Sequence, residues 1–260
     1  MKRILFSLVA VGLLINLPAH AQLIDEKDVT VTMDLQPVLQ LDMTTPNQLE
    51  FVFDDINEYY AGITQYAATI LKVSSTVSWD LYAVGRSNGT NGPEFWDQVI
   101  DYGNSNPNAI PDLPLSLLEM RQAQVNSGST AAAATATFAD YSSAFPQVAA
   151  PSQSNSIYVN GGTNTPPTNQ DKYIAGHAGT TAPGTDAMAG GSFLINGGTT
   201  SDFYYSIDYR VLPGLPAVFP MASDADGNTF EDLVTVNGAG SYAEPGVYTM
   251  YVQYILLEDQ

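Results

Sequence analysis

The sequence has 260 residues, with 27 Asp and Glu against 8 Lys and Arg, two histidines and no cysteine. A formal charge of −19 excludes nucleic acid as a partner, because its binding depends on basic side chains that neutralise phosphates. The lack of cysteine excludes disulfides, thiolate nucleophiles and thiolate metal sites. The acidity then serves either solubility or the binding of hard cations such as calcium.

Residues 1–21 predict a cleavable signal peptide. Lys2 and Arg3 precede an apolar stretch over residues 4–18, and the small-x-small sequence Ala19-His20-Ala21 ends it. Cleavage removes two bases and no acid, so the formal charge of the mature chain changes from −19 to −21. No later apolar run approaches the roughly 20 residues of a transmembrane helix. We therefore expect export through the inner membrane and a secreted or cell-surface location.

Apolar and polar residues alternate along the first part of the mature chain, as in half-buried strands. The alternation predicts strands over residues 29–35, 39–43 and 49–53. The acidic stretch 54–62 predicts a loop. The alternation that begins at Tyr66 slips by one residue before Leu71, which predicts a β-bulge.

The odd-numbered residues from Val77 to Ala83 predict the buried row of the next strand, with Asp80 and Tyr82 outside. Residues 88–93 predict a turn. Residues 94–102 suit a short helix or a capping loop. Leucines at alternate positions over residues 113–117 favour a strand, although residues 118–123 would also suit a helical turn.

Small and polar residues dominate from about residue 127 to 200 and predict long loops with brief strands at 157–159 and 192–195. Alternation returns over residues 203–211 and in a final strand over residues 248–256. These elements predict an all-β fold, an antiparallel β-sandwich. Residues 22–260 form one domain with a low-complexity loop insertion at about 127–200; the alternative is a domain boundary inside that insertion.

Catalytic candidates are few. His177, the one histidine of the mature chain, lies in a glycine loop without a Gly-x-Ser-x-Gly elbow nearby. Paired carboxylates leave glycoside hydrolysis as the one catalytic alternative, with the acids of residues 54–58, 94–97 and 231–232 as equivalent candidates. We predict that the protein is not an enzyme.

The acidic stretch 224–232 resembles part of a calcium loop. Asp224, Asp226, Asn228 and Asp232 offer oxygen ligands, and Gly227 permits the tight turn that such loops need. The EF-hand spacing is incomplete, because Ala222 and Leu233 fall where that loop has its first and twelfth ligands. The two interpretations are an acidic turn between strands and a structural calcium site, and no other cofactor is expected.

Four segments carry a family resemblance. Ser78-Trp79-Asp80-Leu81 resembles the Trp-x-Leu element of WxL-like secreted β-sandwich surface proteins. The strand Val29-Thr30-Val31, residues 39–53 and the closing Pro245-Gly246-Val247-Tyr248 are similar to the start and end of that plan, and to related surface proteins of Gram-negative Bacteroidota. The resemblance implies a non-catalytic cell-surface module.

The sequence therefore predicts a secreted, non-enzymatic structural or adhesion protein of the cell surface or extracellular matrix. Its expected partners are other surface proteins, itself or glycans, and outward tyrosines such as Tyr204 and Tyr251 suit such contacts. The chain also resembles fimbrial subunits in its strongly alternating terminal strand. This resemblance implies the alternative function, a self-assembling, pilus-like filament subunit. A carbohydrate-binding or carbohydrate-active protein is the third hypothesis.

Overall fold

The computed structural model describes residues 26–77, 79–103, 106–124, 141–146, 154–167, 172–175, 202–211, 221–223, 230–232, 238 and 240–258. The chain divides into two units, Met1–Gln36 and Pro37–Gln260. In the first unit, the described residues 26–36 form no helix or strand and are exposed. The second unit contains all the regular elements described below.

Strands dominate the second unit, which confirms the all-β class and its mainly antiparallel pairing. The helical elements are α1 (Ile56–Ala61) and one turn of 3₁₀ helix (Leu115–Leu117). The strands are β1 (Leu39–Met43), β2 (Ile63–Ser75), β3 (Trp79–Arg86), β4 (Asp97–Asp101), β5 (Ala109–Ile110), β6 (Leu118–Gln124), β7 (Tyr173–Ala175), β8 (Asp202–Val211), β9 (Met221–Ser223), β10 (Phe230–Asp232), β11 (Tyr242–Ala243), β12 (Gly246–Thr249) and β13 (Tyr251–Glu258).

Two sheets contain the longer strands. The first sheet has the order β1-β2-β8-β6 and is antiparallel throughout, and the second has the order β13-β3-β7. Three further pairs are β12 with β4, β10 with β9, and the parallel pair β11 with β5.

One hydrophobic core receives side chains from both sheets. The first sheet contributes Leu71 and Ile207, and the second contributes Trp79, Leu81 and Ile174, each no more than 1 % exposed. The ring of Trp79 meets those of Phe203 and Tyr205 edge-on, with centroid distances of 5.5 and 6.3 Å. The predicted inward row is therefore confirmed from Trp79 to Ala83, whereas Val77 precedes β3 and is half-buried.

The outer face of β3 is buried as well, which corrects the expectation for Asp80 and Tyr82. The ring of Tyr173 on β7 packs against Tyr82 at a centroid distance of 5.7 Å. A strand paired on both sides and covered on both faces loses the polar face that alternation predicts.

β2 contains a bulge as predicted, but the shift in register lies between Gln65 and Thr69, before the predicted slip at Leu71. Ala67 has a positive φ of 49°, which is costly for a residue with a Cβ. Its backbone N–H donates to the Asp208 carboxylate at 2.7 Å, so a bond from β8 stabilises the distorted backbone.

Two predicted strands near the N-terminus are wrong. Residues 29–35 and 49–53 have the alternation but no strand partner among the described residues. Phe51 and Phe53 nevertheless pack against the core, because burial of a side chain does not require its backbone to join a sheet.

The predicted loop at residues 54–62 contains helix α1. The Asp55 carboxylate accepts from Asn57 N at 2.7 Å, and Glu58 accepts from the backbone N–H of Asp55 at 3.1 Å. This reciprocal capping box starts the helix, and Gly62, with a φ of 72°, ends it.

Two elements in the middle of the chain differ from the prediction. Residues 97–101 form β4 in place of a helix or capping loop, and residues 115–117 form a 3₁₀ turn before β6 in place of a strand. The predicted final strand is divided at Met250, since β12 pairs with β4 while β13 pairs with β3. Its inward row is confirmed, because Tyr248, Val252 and the alternate residues between and beyond them pack against the core.

Residues 157–159 form no regular strand, although the backbones around them bond to both sheets. Ile157 N donates to Leu118 O at 3.0 Å, and Gly85 N donates to Tyr158 O at 2.8 Å. The predicted strand at 192–195 and most of the insertion at 127–200 lie outside the described residues.

Candidate functional site

The predicted calcium ligands are only partly within the described residues. Asp224, Asp226 and Asn228 lie outside them, and Asp232 ends β10, where only the backbone is described. β9 and β10 pair antiparallel, with Ser223 opposite Phe230, so this pair of strands brackets residues 224–229. Within the part of the chain that is described, no group of three or more acidic or histidine side chains is arranged to hold a metal ion.

Three of the candidate catalytic carboxylates have structural contacts. Asp55 and Glu58 form the capping box of α1. Asp97 is buried and accepts hydrogen bonds from the backbone. His177 lies outside the described residues, as do the side chains of Glu231 and Asp232.

Asp97 organises the turn at residues 88–92. Its Oδ2 accepts from Asn88 N at 2.5 Å, and its Oδ1 accepts from Thr90 N at 2.7 Å. A carboxylate that accepts two backbone N–H bonds fixes the turn more firmly than a neutral acceptor does. Gly92 completes it with a φ of 112°, and a Cβ at this position would lie 3.2 Å from the Phe95 ring.

Arg86, at the end of β3, hydrogen-bonds to two other parts of the chain, the loop at residues 160–165 and strand β13. Its guanidinium donates to Asn160 Oδ1 at 2.8 Å, to Thr163 O and to Asn164 Oδ1 at 3.1 Å. Its Nε donates to Gln253 Oε1 on β13 at 3.3 Å. A guanidinium has a planar set of five N–H donors, so one side chain holds several loop acceptors in a defined arrangement.

Tyr251 joins the same region through its hydroxyl, which accepts from Asn88 Nδ2 at 3.2 Å. Asn160 Nδ2 donates to Thr165 O at 2.9 Å, so the loop at 160–165 is also bonded internally. We define the Arg86 loop cluster as Arg86, Asp97, Tyr251, Gln253 and residues 88–92 and 160–165. It presents amides, hydroxyls and one tyrosine ring on loops that internal bonds hold in place.

A second polar group surrounds Tyr248 on β12. The Tyr248 hydroxyl donates to Glu244 O at 2.7 Å and accepts from Gln98 Nε2 at 3.2 Å. Burial raises the pKa of Tyr248 far above its ordinary value, and the negative charges of Glu244, Asp101 and Asp112 raise it further. Tyr248 therefore stays neutral and acts as a hydrogen-bonding group rather than as an anion.

Two buried basic residues, Arg210 and Lys172, have structural partners. Arg210 on β8 donates from Nε to Glu119 on β6 at 2.9 Å, and the Glu119 side chain is fully buried. Arg210 also donates to Pro146 O at 2.7 Å and lies over the Phe145 ring. Lys172 is buried and donates to Ser156 O at 2.8 Å. The Arg210 contacts tie residues 145–146 to the first sheet, and the Lys172 contact joins residues 172 and 156.

The sequence reasoning missed the Arg86 loop cluster. Arg86 closes an alternating strand and directly precedes the turn predicted at residues 88–93, and basic residues are scarce in this chain. A scarce basic residue in that position is a signal in the sequence for a functional role. Its partners at residues 160–165, however, are more than 70 positions away from Arg86. Of the predicted outward tyrosines, Tyr251 is exposed and Tyr204 is half-buried.

No protein-family model matches the sequence, and no curated protein matches it. None of the helices in the described part of the chain is long and apolar enough to cross a membrane.

Proposed function

We propose that this protein is a secreted, non-enzymatic structural or adhesion protein of the cell surface or matrix, and that the Arg86 loop cluster is its contact surface. The observation that carries the proposal is the bonding of one guanidinium on β3 to two distant segments of the chain, next to a turn held by a buried carboxylate.

Such bonding favours recognition because the loops are ordered before a partner arrives. Ordering a polar side chain on binding costs about 0.5–1.5 kcal/mol, and internal bonds made during folding reduce that cost. Asn and Tyr side chains such as Asn88, Asn164 and Tyr251 offer donors, acceptors and a flat ring, the composition of many protein contact surfaces.

The scaffold suits this role. Two sheets with buried faces in one core fit a β-sandwich, and loops at the end of a rigid sandwich are common recognition sites. The predicted signal peptide and the resemblance to WxL-like surface proteins support the same assignment of location.

The first experiment tests location and adhesion together. Protease treatment of intact cells should remove the protein from their surface, or the protein should accumulate in the medium. Beads coated with residues 22–260 should bind intact cells or their extracted matrix. Retention of the protein inside protease-treated cells, or beads that bind neither target, would contradict the proposal.

Variants of Arg86 test the contact surface. Arg86→Ala should lower bead adhesion about tenfold, equivalent to about 1.4 kcal/mol. Arg86→Lys keeps the charge but lacks the planar set of donors, and it should lose most of the same adhesion. Lys27→Ala, an equal change of charge outside the second unit, is the matched control. Equal adhesion of all three variants would exclude the Arg86 loop cluster as the contact surface.

Carbohydrate binding is the second candidate, favoured by the same amides and by the exposed ring of Tyr251, since sugars pair with amides and stack on aromatic rings. A glycan array should show a small set of related ligands whose signal falls in Tyr251→Ala. Steady release of reducing ends from a polysaccharide panel would instead indicate a carbohydrate-active enzyme.

A structural calcium ion at Asp224, Asp226, Asn228 and Asp232 is proposed as a stabiliser of the region between β9 and β10. Millimolar calcium should raise the melting temperature relative to EDTA, and Asp226→Asn should reduce that difference. Asp34→Asn has the same change of charge and serves as the control. Identical melting temperatures in calcium and EDTA would leave the acidic-turn interpretation.

A further inference from the structure

Residues 29–35 have the side-chain pattern of a strand without a sheet. Four apolar residues alternate here with Thr30, Thr32 and Asp34. The apolar side chains have exposed fractions between 78 and 85 %; they are Val29, Val31, Met33 and Leu35. Four exposed apolar side chains at every second position form one continuous apolar face when the backbone is extended. Such a face has no ordinary role on a soluble surface and indicates an interaction site.

β13 has a free edge with the complementary properties. Its eight residues pair with β3 along one side, and no backbone hydrogen bond from its other side reaches any of the described residues. Its sequence, YVQYILLE, has no Lys, Arg or Pro, and Glu258 at its end is the one charge. Natural edge strands normally carry such residues because they prevent pairing with other chains.

The core is incompletely covered beside this edge. Val252, Tyr254 and Leu256 point to the core side of β13, opposite Gly85, Ala83 and Leu81, but they remain partly exposed. The hydroxyl of Tyr254 meets that of Tyr209 on the first sheet, which confirms the inward direction. An added strand with one apolar face would extend the cover of this row.

We propose that residues 29–35 of one copy of this chain add as a strand to the free edge of β13 in a second copy. The seven residues are one fewer than the eight of β13, and directly opposed residues in a sheet share a face. Val29, Val31, Met33 and Leu35 then extend the row of Val252, Tyr254 and Leu256, while Thr30, Thr32 and Asp34 face outward.

Donor and acceptor are different parts of the chain, so the contact is head-to-tail. Each copy in such an array has a free donor strand and a free acceptor edge, and the array grows as an open chain unless its rotation closes a ring. The inference concerns assembly and does not depend on the contact surface proposed above.

Crosslinking tests the pairing directly, because the wild-type chain has no cysteine. Thr32→Cys in one preparation and Gln253→Cys in another place single thiols on the outward side of donor and acceptor. Mixing them with a short bismaleimide should give a crosslinked dimer that neither preparation forms alone. Lys27→Cys mixed with Gln253→Cys should crosslink at most one-tenth as well.

A chain carrying both Thr32→Cys and Gln253→Cys separates the two possible occupants of the edge. At nanomolar concentration, a second copy is absent and the chain should stay uncrosslinked. A crosslink formed within single chains at that dilution would overturn the proposal, since the edge would then be filled by the chain's own residues 29–35.

Assembly should depend on the apolar face alone. Val31→Asp/Met33→Asp should remain monomeric in light scattering and electron microscopy at concentrations where the wild type forms chains. Thr30→Asp/Thr32→Asp adds the same charge to the opposite face and should still assemble. Raising the salt concentration should lengthen the wild-type chains, because it screens the repulsion between acidic copies.

Two outcomes would overturn this inference and leave the proposed adhesion function unaffected. One is a wild-type monomer at high concentration and high salt, and the other is equal loss of assembly in both double variants. Bead adhesion that still depends on Arg86 in either case would leave the adhesion role in place.

Discussion

β8 and residues 29–35 share one sequence pattern and differ in structure. Both alternate apolar and polar residues, yet Ile207 and Phe203 in β8 are at most 2 % exposed, whereas Val31 is 85 % exposed. β8 lies between β2 and β6, which satisfy its backbone on both sides, and residues 29–35 pair with none of the described strands. Alternation therefore specifies which side chains share a face, but a strand also needs a partner for its backbone.

The polar residues of β8 and of residues 29–35 also differ in their contacts. Arg210 of β8 meets a buried carboxylate from the neighbouring strand, whereas Asp34 accepts a bond from Gln36 two residues away. The first contact links distant parts of the chain and is lost on unfolding. The second is local and exposed, so it adds little to stability.

The largest expected effect is at the buried ion pair. Glu119→Ala leaves the Arg210 guanidinium buried without its carboxylate, which should cost about 3–5 kcal/mol in the free energy of unfolding. Urea unfolding followed by the fluorescence of Trp79 and Trp96 would measure it. Asp34→Ala should change this free energy by no more than about 0.5 kcal/mol. A loss below about 1 kcal/mol in Glu119→Ala would mean that water reaches the pair.

The apolar rows give the next contrast. Ile207→Ala removes a fully buried side chain from the core and should cost about 2–5 kcal/mol. Val31→Ala should change the free energy of unfolding by at most about 0.5 kcal/mol at concentrations too low for assembly. Equal losses in the two variants, measured by the same urea unfolding, would show that residues 29–35 are covered within the monomer.

A smaller effect is expected from the hydroxyl of Tyr209, which bonds to Thr69 Oγ1 at 2.9 Å and to the Tyr254 hydroxyl. Tyr209→Phe removes both bonds and should cost about 1–2 kcal/mol. Tyr66 is 71 % exposed, so Tyr66→Phe should have no measurable effect on thermal or urea unfolding. An unchanged Tyr209→Phe variant would mean that neither bond contributes to stability.

The free energy of unfolding should depend on pH in alkali. Burial raises the pKa of Tyr209 and Tyr254 above the ordinary 10.0, and for Tyr254 the neighbouring Tyr209 raises it further. The unfolded chain releases these protons first, so the stabilisation is complete below about pH 10 and is lost as the pH rises through the folded pKa values.

Urea unfolding at about pH 9 and about pH 11 should show this loss, and Tyr209→Phe should reduce it. Ultraviolet titration should show a group of tyrosines that ionise only on unfolding. Simultaneous ionisation of all 15 tyrosines would contradict the assigned burial.

The sequence predictions are more accurate for features set by neighbouring residues than for features set by residues distant in sequence. Trp79 and the inward row of β13 are correctly predicted as core, because apolar alternation reports burial directly. The α1 helix is not predicted although Asp55 and Glu58 have capping-box spacing, because the acidic composition of residues 54–62 favours a loop. The Arg86 loop cluster depends on residues distant in sequence and has no local pattern.

The sequence by itself determined the all-β class, the turn at residues 88–93 and the inward rows of β8 and β13. These properties depend on local backbone preference and on hydrophobicity, which neighbouring residues encode. Only the tertiary structure decided that β8 is paired on both sides while residues 29–35 are exposed, that Arg210 meets Glu119, and that Arg86 joins three segments. Those outcomes depend on which distant segments meet, because a buried charge or a strand edge is satisfied by a partner that its own sequence does not name.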